Sequence, residues 1–159
     1  MSKLMSVNRP MKEPIGLRVT RTAKALSRAF DQELAAAGGT LPTWLILLSV
    51  KSGRAATQRE LAKAVGIQGA TLTHHLTALE SAGLISRTRD PSNRRVQRVE
   101  LTEAGDAAFL RLRQAAQRFD ARLRQGLDED EVDQLRELLG RLDANVGGAQ
   151  PAQASRAMP

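Results

Sequence analysis

The sequence predicts a mainly α (α+β) fold: a helix-turn-helix with a two-stranded wing, set between long N- and C-terminal helices. Three observations carry that expectation. Apolar residues recur at spacings of three and four through most of the chain, the period of helices with one buried face. Two short helical segments meet at Gly66, which is a helix-turn-helix pattern. Directly after them, a basic segment changes to the two-residue alternation of a hairpin.

Taken in order, residues 1–13 read as a flexible lead, with Met5 and Met11 as alternative starts to Met1. From Pro14, the residues Ile15, Val19, Ala23, Leu26, Phe30 and Leu34 step along one helical face. Proline suits a first turn, where its missing N–H has no partner to lose, and Gly38-Gly39 ends the helix. Thr40-Leu-Pro42 reads as a cap and a first-turn proline. The run Trp44 to Leu48, with Val50, is then a buried helix ending before Gly53, or a buried strand, since short apolar runs are ambiguous. Thr57 to Glu60 matches a capping box, with Leu61, Ala62 and Val65 as the apolar face behind it. A second short helix runs from about Gly69 to Ala82, with Leu72, Leu76 and Leu79 inward.

Leu84 to Thr88 has strand character. Asp90-Pro-Ser-Asn93 is turn chemistry, and Arg95 to Leu101 alternates as a returning strand. Ala108, Leu112, Ala115, Phe119 and Leu123 keep a helical period from Thr102 to Gly126. Asp128 to Glu131 is a second capping box whose acidic first turn complements the helix dipole. Val132, Leu135, Leu139, Leu142 and Val146 then form a heptad-like seam, which calls for a partner helix. The division expected is a lead over 1–13, one domain over 14–146 and a disordered tail over 147–159. Within the domain, the helix-turn-helix and wing occupy about 54–101, and the dimerisation helices about 14–37 and 103–146.

Composition narrows the chemistry. The chain has 159 residues, 24 Lys and Arg against 17 Asp and Glu, a net charge of +7 and no cysteine. Disulfides, thiolate metal sites and cysteine nucleophiles are excluded. The basic excess points to a polyanion, nucleic acid or an acidic membrane. It is unevenly spread: residues 54–101 carry eight basic and four acidic groups, residues 127–146 two and seven. With three Phe, one Trp and no Tyr, base stacking on aromatic platforms is a poor reading. No apolar run approaches the ~20 residues of a membrane span, and the N-terminus has no secretory h-region. A cytoplasmic protein is expected.

The second helix of the pair is built to enter a major groove. With its leucines inward, its other side presents Gln68, Thr71, His74, His75 and Ala78, with Thr73 and Thr77 on the flanks. These are hydrogen-bonding sizes for bases or phosphates; the plainer reading of each is solvated surface. The wing holds Arg87, Arg89, Arg94, Arg95 and Arg98 within twelve positions, and arginine suits phosphates and narrow minor grooves.

The segments TQRELAKAVGIQGATLTHHLTALESAGLISR and DPSNRRVQRVELTEAG resemble the MarR/SlyA family of bacterial transcriptional regulators, over about Pro14 to Val146. The resemblance implies a homodimer whose first and last two helices interlock, with two winged helices on a palindromic operator. Ile15, Val19, Val132, Leu135, Leu139 and Leu142 would then lie at the interface. Arg94 and Arg95 fall on the wing-tip arginines of the family, with Arg95 the one to enter the minor groove. Asp90 falls on an acidic residue that braces the wing. Asn93 departs from the pattern, because many relatives have Asp before the paired arginines. His74 falls where relatives place a DNA-contacting side chain. Relatives also take small aromatic or phenolic effectors between the dimer helices and the winged domain. Lys24 would meet a carboxylate there, with Trp44 as a wall and Leu48 making the pocket greasier; the plainer reading of Trp44 is core.

Two rival classes remain to be weighed. An enzyme lacks support, because there is no nucleophile–base pair, HExxH, phosphate loop or carboxylate cluster in an apolar setting. No cofactor is implied, and a metal site is disfavoured by having only two histidines, which as helix neighbours point about 100° apart. A non-specific architectural or membrane-surface binder would use the charge alone and show no preferred site. The reading reached is a sequence-specific regulator of double-stranded DNA, a repressor acting as a homodimer and released by a small aromatic ligand.

Overall fold

A computed structural model describes residues 12–147; the expectations for residues 1–11 and for the tail from Gly148 lie outside the described residues. The elements are α1 (Ile15–Ala36), α2 (Leu41–Lys51), α3 (Gln58–Val65), α4 (Gly69–Ser81), β1 (Ile85–Arg89), β2 (Gln97–Leu101), α5 (Glu103–Leu123) and α6 (Glu129–Asn145). The chain divides into two compact units, Met1–Gln117 and Arg118–Pro159, with the boundary inside α5.

In the first unit the apolar run is a helix rather than a strand. Thr40 caps it by accepting from the Thr43 N–H at 3.3 Å, and Pro42 lies in the first turn. Trp44, Ile46 and Leu47 are buried, every other residue from Leu41 to Val50 is half-buried, and only Lys51 is exposed. The helix therefore has no solvent face. It packs against α1, α3, α4 and β2. Leu34, Ile46, Leu47, Leu61, Leu72 and Leu76 are completely excluded from solvent, each contributing about 1.5–3 kcal/mol of apolar burial. Trp44 stacks on Phe109 with ring centroids 5.7 Å apart and planes 14° from parallel.

The capping box of α3 is complete: the Thr57 hydroxyl accepts from the Glu60 N–H, and the Glu60 carboxylate accepts from the Thr57 N–H. A second bond, from the Ala56 N–H, helps hold the Glu60 carboxyl below its ordinary range. The hairpin is antiparallel, in register from Ile85 opposite Leu101 to Arg89 opposite Gln97. Both strands start later than the alternation suggests. Leu84 still belongs to the end of α4, its N–H reaching back to the Leu79 carbonyl at 3.0 Å while the Gly83 N–H bonds Glu80 at 2.9 Å. This is a Schellman ending, with Gly83 at φ +71°. Arg95 and Val96 belong to the turn, where the Val96 N–H bonds the Asn93 carbonyl at 2.8 Å. The segment before α3 also joins the sheet, through a bridge between Thr57 and Arg98 and a 2.9 Å bond from the Val99 N–H to the Ala56 carbonyl.

In the second unit, Asp128 and Glu131 form the capping box that opens α6. Arg124 pairs with Asp120 at 3.2 Å and Glu129 at 3.0 Å, and the Arg122 guanidinium lies 5.5 Å over the Phe119 ring. Phe119 and Val132 are buried, while Leu135, Leu138 and Leu139 are exposed.

Gly105 is required by close approach. A Cβ there would lie 1.9 Å from the Leu84 carbonyl oxygen. The same joint is pinned by Thr102, whose hydroxyl donates to the Gly83 carbonyl at 2.6 Å and accepts from the Gly105 N–H at 3.0 Å. Gly105→Ala is therefore expected to force the wing root and α5 apart, at a cost on the order of 3 kcal/mol, read as a lowered midpoint in urea unfolding.

Candidate nucleic-acid interface

Helix α4 is held by its buried leucine stripe, Leu72, Leu76 and Leu79. Thr71, His74 and Ala78 are exposed and His75 is half-buried. The histidine rings lie edge to face at 6.1 Å. Gln68 is exposed at the N-cap and makes no side-chain capping bond, so the first N–H groups of the helix are not capped by it. These groups form a polar face of α4 that is open to solvent apart from the half-buried His75.

The stripe formed by Thr73, Thr77 and Glu80 behaves differently. The Thr73 hydroxyl donates to the Gly69 carbonyl at 2.9 Å and accepts from the Gln58 amide at 2.7 Å, so it ties α3 to α4. Arg87, on β1, turns inward: its Nε and Nη2 donate to the Glu80 carboxylate at 2.9 and 2.5 Å, and Nη2 lies 3.4 Å from the Thr77 hydroxyl. These bonds hold the Glu80 carboxyl below its ordinary range. Thr73, Thr77 and Arg87, expected as DNA-facing groups, are thus engaged within the chain. The sequence missed Gln58 and Glu80 as partners, because neither pairing lies within one helix turn. It is created only when α3 and β1 dock on α4.

The wing presents Arg89, Arg94 and Arg95 exposed, with no ion pair among the described residues. Its tip is shaped by Asp90, the buried charged residue of the first unit, at 8% exposure. The Asp90 carboxylate accepts from the Ser92 N–H at 2.8 Å and the Ser92 hydroxyl at 2.5 Å. It also accepts from Arg98 Nε and Nη2, each at 2.8 Å. The Ser92 hydroxyl and N–H, followed by Arg98, hold the Asp90 carboxyl far below the usual carboxylate range. Asn93, the departure from the pattern, takes a local role: its side-chain oxygen accepts from the Arg95 N–H at 3.2 Å. The bracing role of Asp90 is therefore filled by Arg98 from the opposite strand. Between α3, the start of α4 and the wing tip lies an open groove of about 720 Å³, lined in part by Gln58, Arg59, Gly69, Asn93, Arg95 and Gln97. Amide and guanidinium groups on its rim suit a polyanion.

The remaining expected residues are spread over the chain. Trp44 and Leu48 belong to the core, which favours the plainer reading of Trp44. Lys24 is exposed on α1 and lines a shallow groove there with Thr20, Ser27 and Arg28. Ile15 is 66% exposed and Val19 half-buried. On α6, Val132 is already buried, Leu142 is half-buried, and Leu135 and Leu139 are 48% and 44% exposed. Among the described residues no single helix is long and apolar enough to cross a membrane.

The model of the MarR family matches residues 40–96, from the cap of α2 to the end of the wing turn. Among solved structures, the transcriptional repressor CouR bound to a 23-mer DNA duplex is 30% identical. The match covers 81% of this chain and 92% of that one, with a TM-score of 0.73. A single-site variant of MarR from E. coli, complexed with operator DNA, is 27% identical over 81% of this chain and 93% of that one, with a TM-score of 0.72. The transcriptional regulator SlyA is 27% identical over 84% and 94%, with a TM-score of 0.71.

Because the Asp90 carboxyl is depressed in the folded chain, its contribution is complete above the unfolded value of about 3.9 and is lost only as pH falls through the lower folded value. Amide exchange in residues 92–96 should therefore show no loosening of the brace between pH 8 and about pH 5, after correction for intrinsic rates. Asp90→Asn should speed that exchange throughout the same range.

Proposed function

We propose, from the premise that the chain belongs to the MarR family, that it is a homodimeric transcriptional repressor reading a pseudo-palindromic operator in double-stranded DNA. The observation that carries this is an exposed polar face on α4, with no side-chain cap at its N-terminus, together with a braced wing whose Arg89, Arg94 and Arg95 are exposed and without an ion pair among the described residues. Thr71, His74, His75 and Gln68 are the groups for base edges and nearby phosphates. Arg95 is the minor-groove residue, and Arg89 and Arg94 are phosphate contacts. The protein acts by occupying DNA, in the cytoplasm, and not by catalysis.

The dimer is supported by the apolar residues that α6 leaves exposed, Leu135 and Leu139, at the spacing of a helix seam. A two-fold pair of winged helices reads half-sites about one helical turn apart. Release by a small aromatic or phenolic ligand would use Lys24, on the exposed groove of α1, as the cation for a carboxylate.

A gel-shift titration against DNA from upstream of the protein's own gene, with unrelated competitor DNA, tests this reading. A discrete shift that survives competitor at sub-micromolar protein is the expected result. A smear that competitor removes, and that ~200 mM salt abolishes, would reduce the protein to a non-specific binder. Arg95→Ala should weaken the discrete shift by at least ten-fold while leaving the melting temperature and the dimer unchanged. Leu139→Asp should yield monomers or insoluble chains in sedimentation, because a dimer seam would bury an unpaired charge.

A further inference from the structure

The wing carries five arginines, and two of them, Arg87 and Arg98, are engaged by acids of the chain itself. The Arg98 pair has an evident purpose, since Asp90 shapes the turn. Arg87 shapes no turn. It lies on the face of β1 shared by Ile85, Arg87 and Arg89, because alternate residues of a strand point the same way. That face grades from core at Ile85, which is buried, to open solvent at Arg89. Arg87 is at the crossover, and its side chain is only 16% exposed. Its guanidinium lies beside Thr77 and Glu80, on the stripe of α4 that adjoins the reading face of His74 and Ala78. A guanidinium freed there has a long, flexible stem and would swing outward to the surface that meets DNA.

We propose that Glu80 is a specificity-determining positioning residue, which latches Arg87 against the recognition helix and withholds its charge from the phosphate backbone. The inference rests on the DNA-binding reading above. Phosphate contacts raise affinity for every sequence alike, while base contacts discriminate. Two latched arginines in a dimer therefore remove a sequence-blind attraction beside the reading face and leave the residues on that face to choose the site. The pair lies outside the apolar core, and its proposed effect falls on binding.

The salt dependence of binding to an unrelated duplex reads this directly, since each neutralised phosphate contributes about 0.9 to the slope of log affinity against log salt. Glu80→Ala is expected to steepen the slope by about 1.8 per dimer, and the affinity gained at 50 mM over 200 mM salt should grow by roughly twelve-fold. Glu80→Ala with Arg87→Ala should return the slope to that of the unsubstituted protein. If the double variant stays steep, removal of the Glu80 charge alone explains the effect and the latch is overturned. Arg87→Ala by itself should keep the original slope; a flattening by about 1.8 would show that Arg87 already meets phosphate and would overturn the proposal, even where Glu80→Ala does not fold. An unchanged slope in a folded Glu80→Ala variant would overturn it too. If the unsubstituted protein shows no salt-dependent binding to any duplex, the DNA-binding reading itself fails, and the latch with it.

Discussion

The winged part of the molecule depends on one helix that has no polar face. Along α2, from Leu41 to Val50, no residue is exposed, and the helix touches α1, α3, α4 and β2. Such a helix gains its stability from burial and not from propensity. Its neighbours must therefore cover it on all sides, and that requirement sets where they go. Leu61 of α3 and Leu72 and Leu76 of α4 meet it from one region of the core and are fully excluded from solvent. Once those leucines are placed, the direction of Thr71 and His74 follows, because the same helix cannot turn without exposing its apolar stripe. The exposed polar face of α4 is thus a consequence of the core.

The polar interactions do different work. The Asp90–Arg98 and Glu80–Arg87 pairs each join a largely buried partner, Asp90 or Arg87, to a more exposed one, and both lie outside the apolar core. What they fix is direction. Asp90 accepts from a hydroxyl, a backbone N–H and a guanidinium, and these donors come from both sides of the wing turn. The turn is then over-determined, and Arg94 and Arg95 project from a defined base. Gln58 and Thr73 do the same for the angle between α3 and α4. A chain of net charge +7 would bind polyanions without any of this. Sorting its arginines into engaged and open groups turns a diffuse charge into a shaped surface.

Most of this architecture could be read from the amino acids. Each helix had a start or stop of specific chemistry: Thr40 with Pro42, Thr57 with Glu60, Asp128 with Glu131. Such signals act within four residues, so one sequence suffices to see them. The helix reading of the Trp44 run prevailed over the strand because its cap and first-turn proline are helix chemistry. The hairpin ends were harder. Leu84 alternates as a strand residue should, yet its N–H completes the ending of α4. Arg95 and Val96 also alternate, yet the turn closes over them. In the candidate interface, exposure was legible and partnership was not. Thr71 and Thr73 look alike in the sequence; one is free and the other is bonded to Gln58, fifteen residues away. Arg87 and Arg89 look alike too, and they differ only because α4 ends beside the first of them. Long-range pairing is a property of docking, which local periodicity does not encode.

Charge is also sorted along the chain. Residues 54–101 carry eight basic and four acidic groups, whereas residues 127–146 carry two and seven. Three of those acids, Glu129, Asp130 and Glu131, lie in the first turn of α6, where the helix dipole favours them. Their local benefit is small, a few tenths of a kcal/mol to about 1. On the proposed DNA-binding reading their effect is larger in kind, because like charge disfavours phosphate at this end of α6, while Leu135 and Leu139 stay exposed for a partner helix. A single winged module engages few phosphates, and its affinity falls steeply with salt. Joining two through a seam makes the second contact intramolecular, at an effective concentration set by the geometry of the pair. On the proposed dimer, an α6 that is acidic at its start and exposes Leu135 and Leu139 would serve that joining, and reading and pairing would fall to different segments of one small chain.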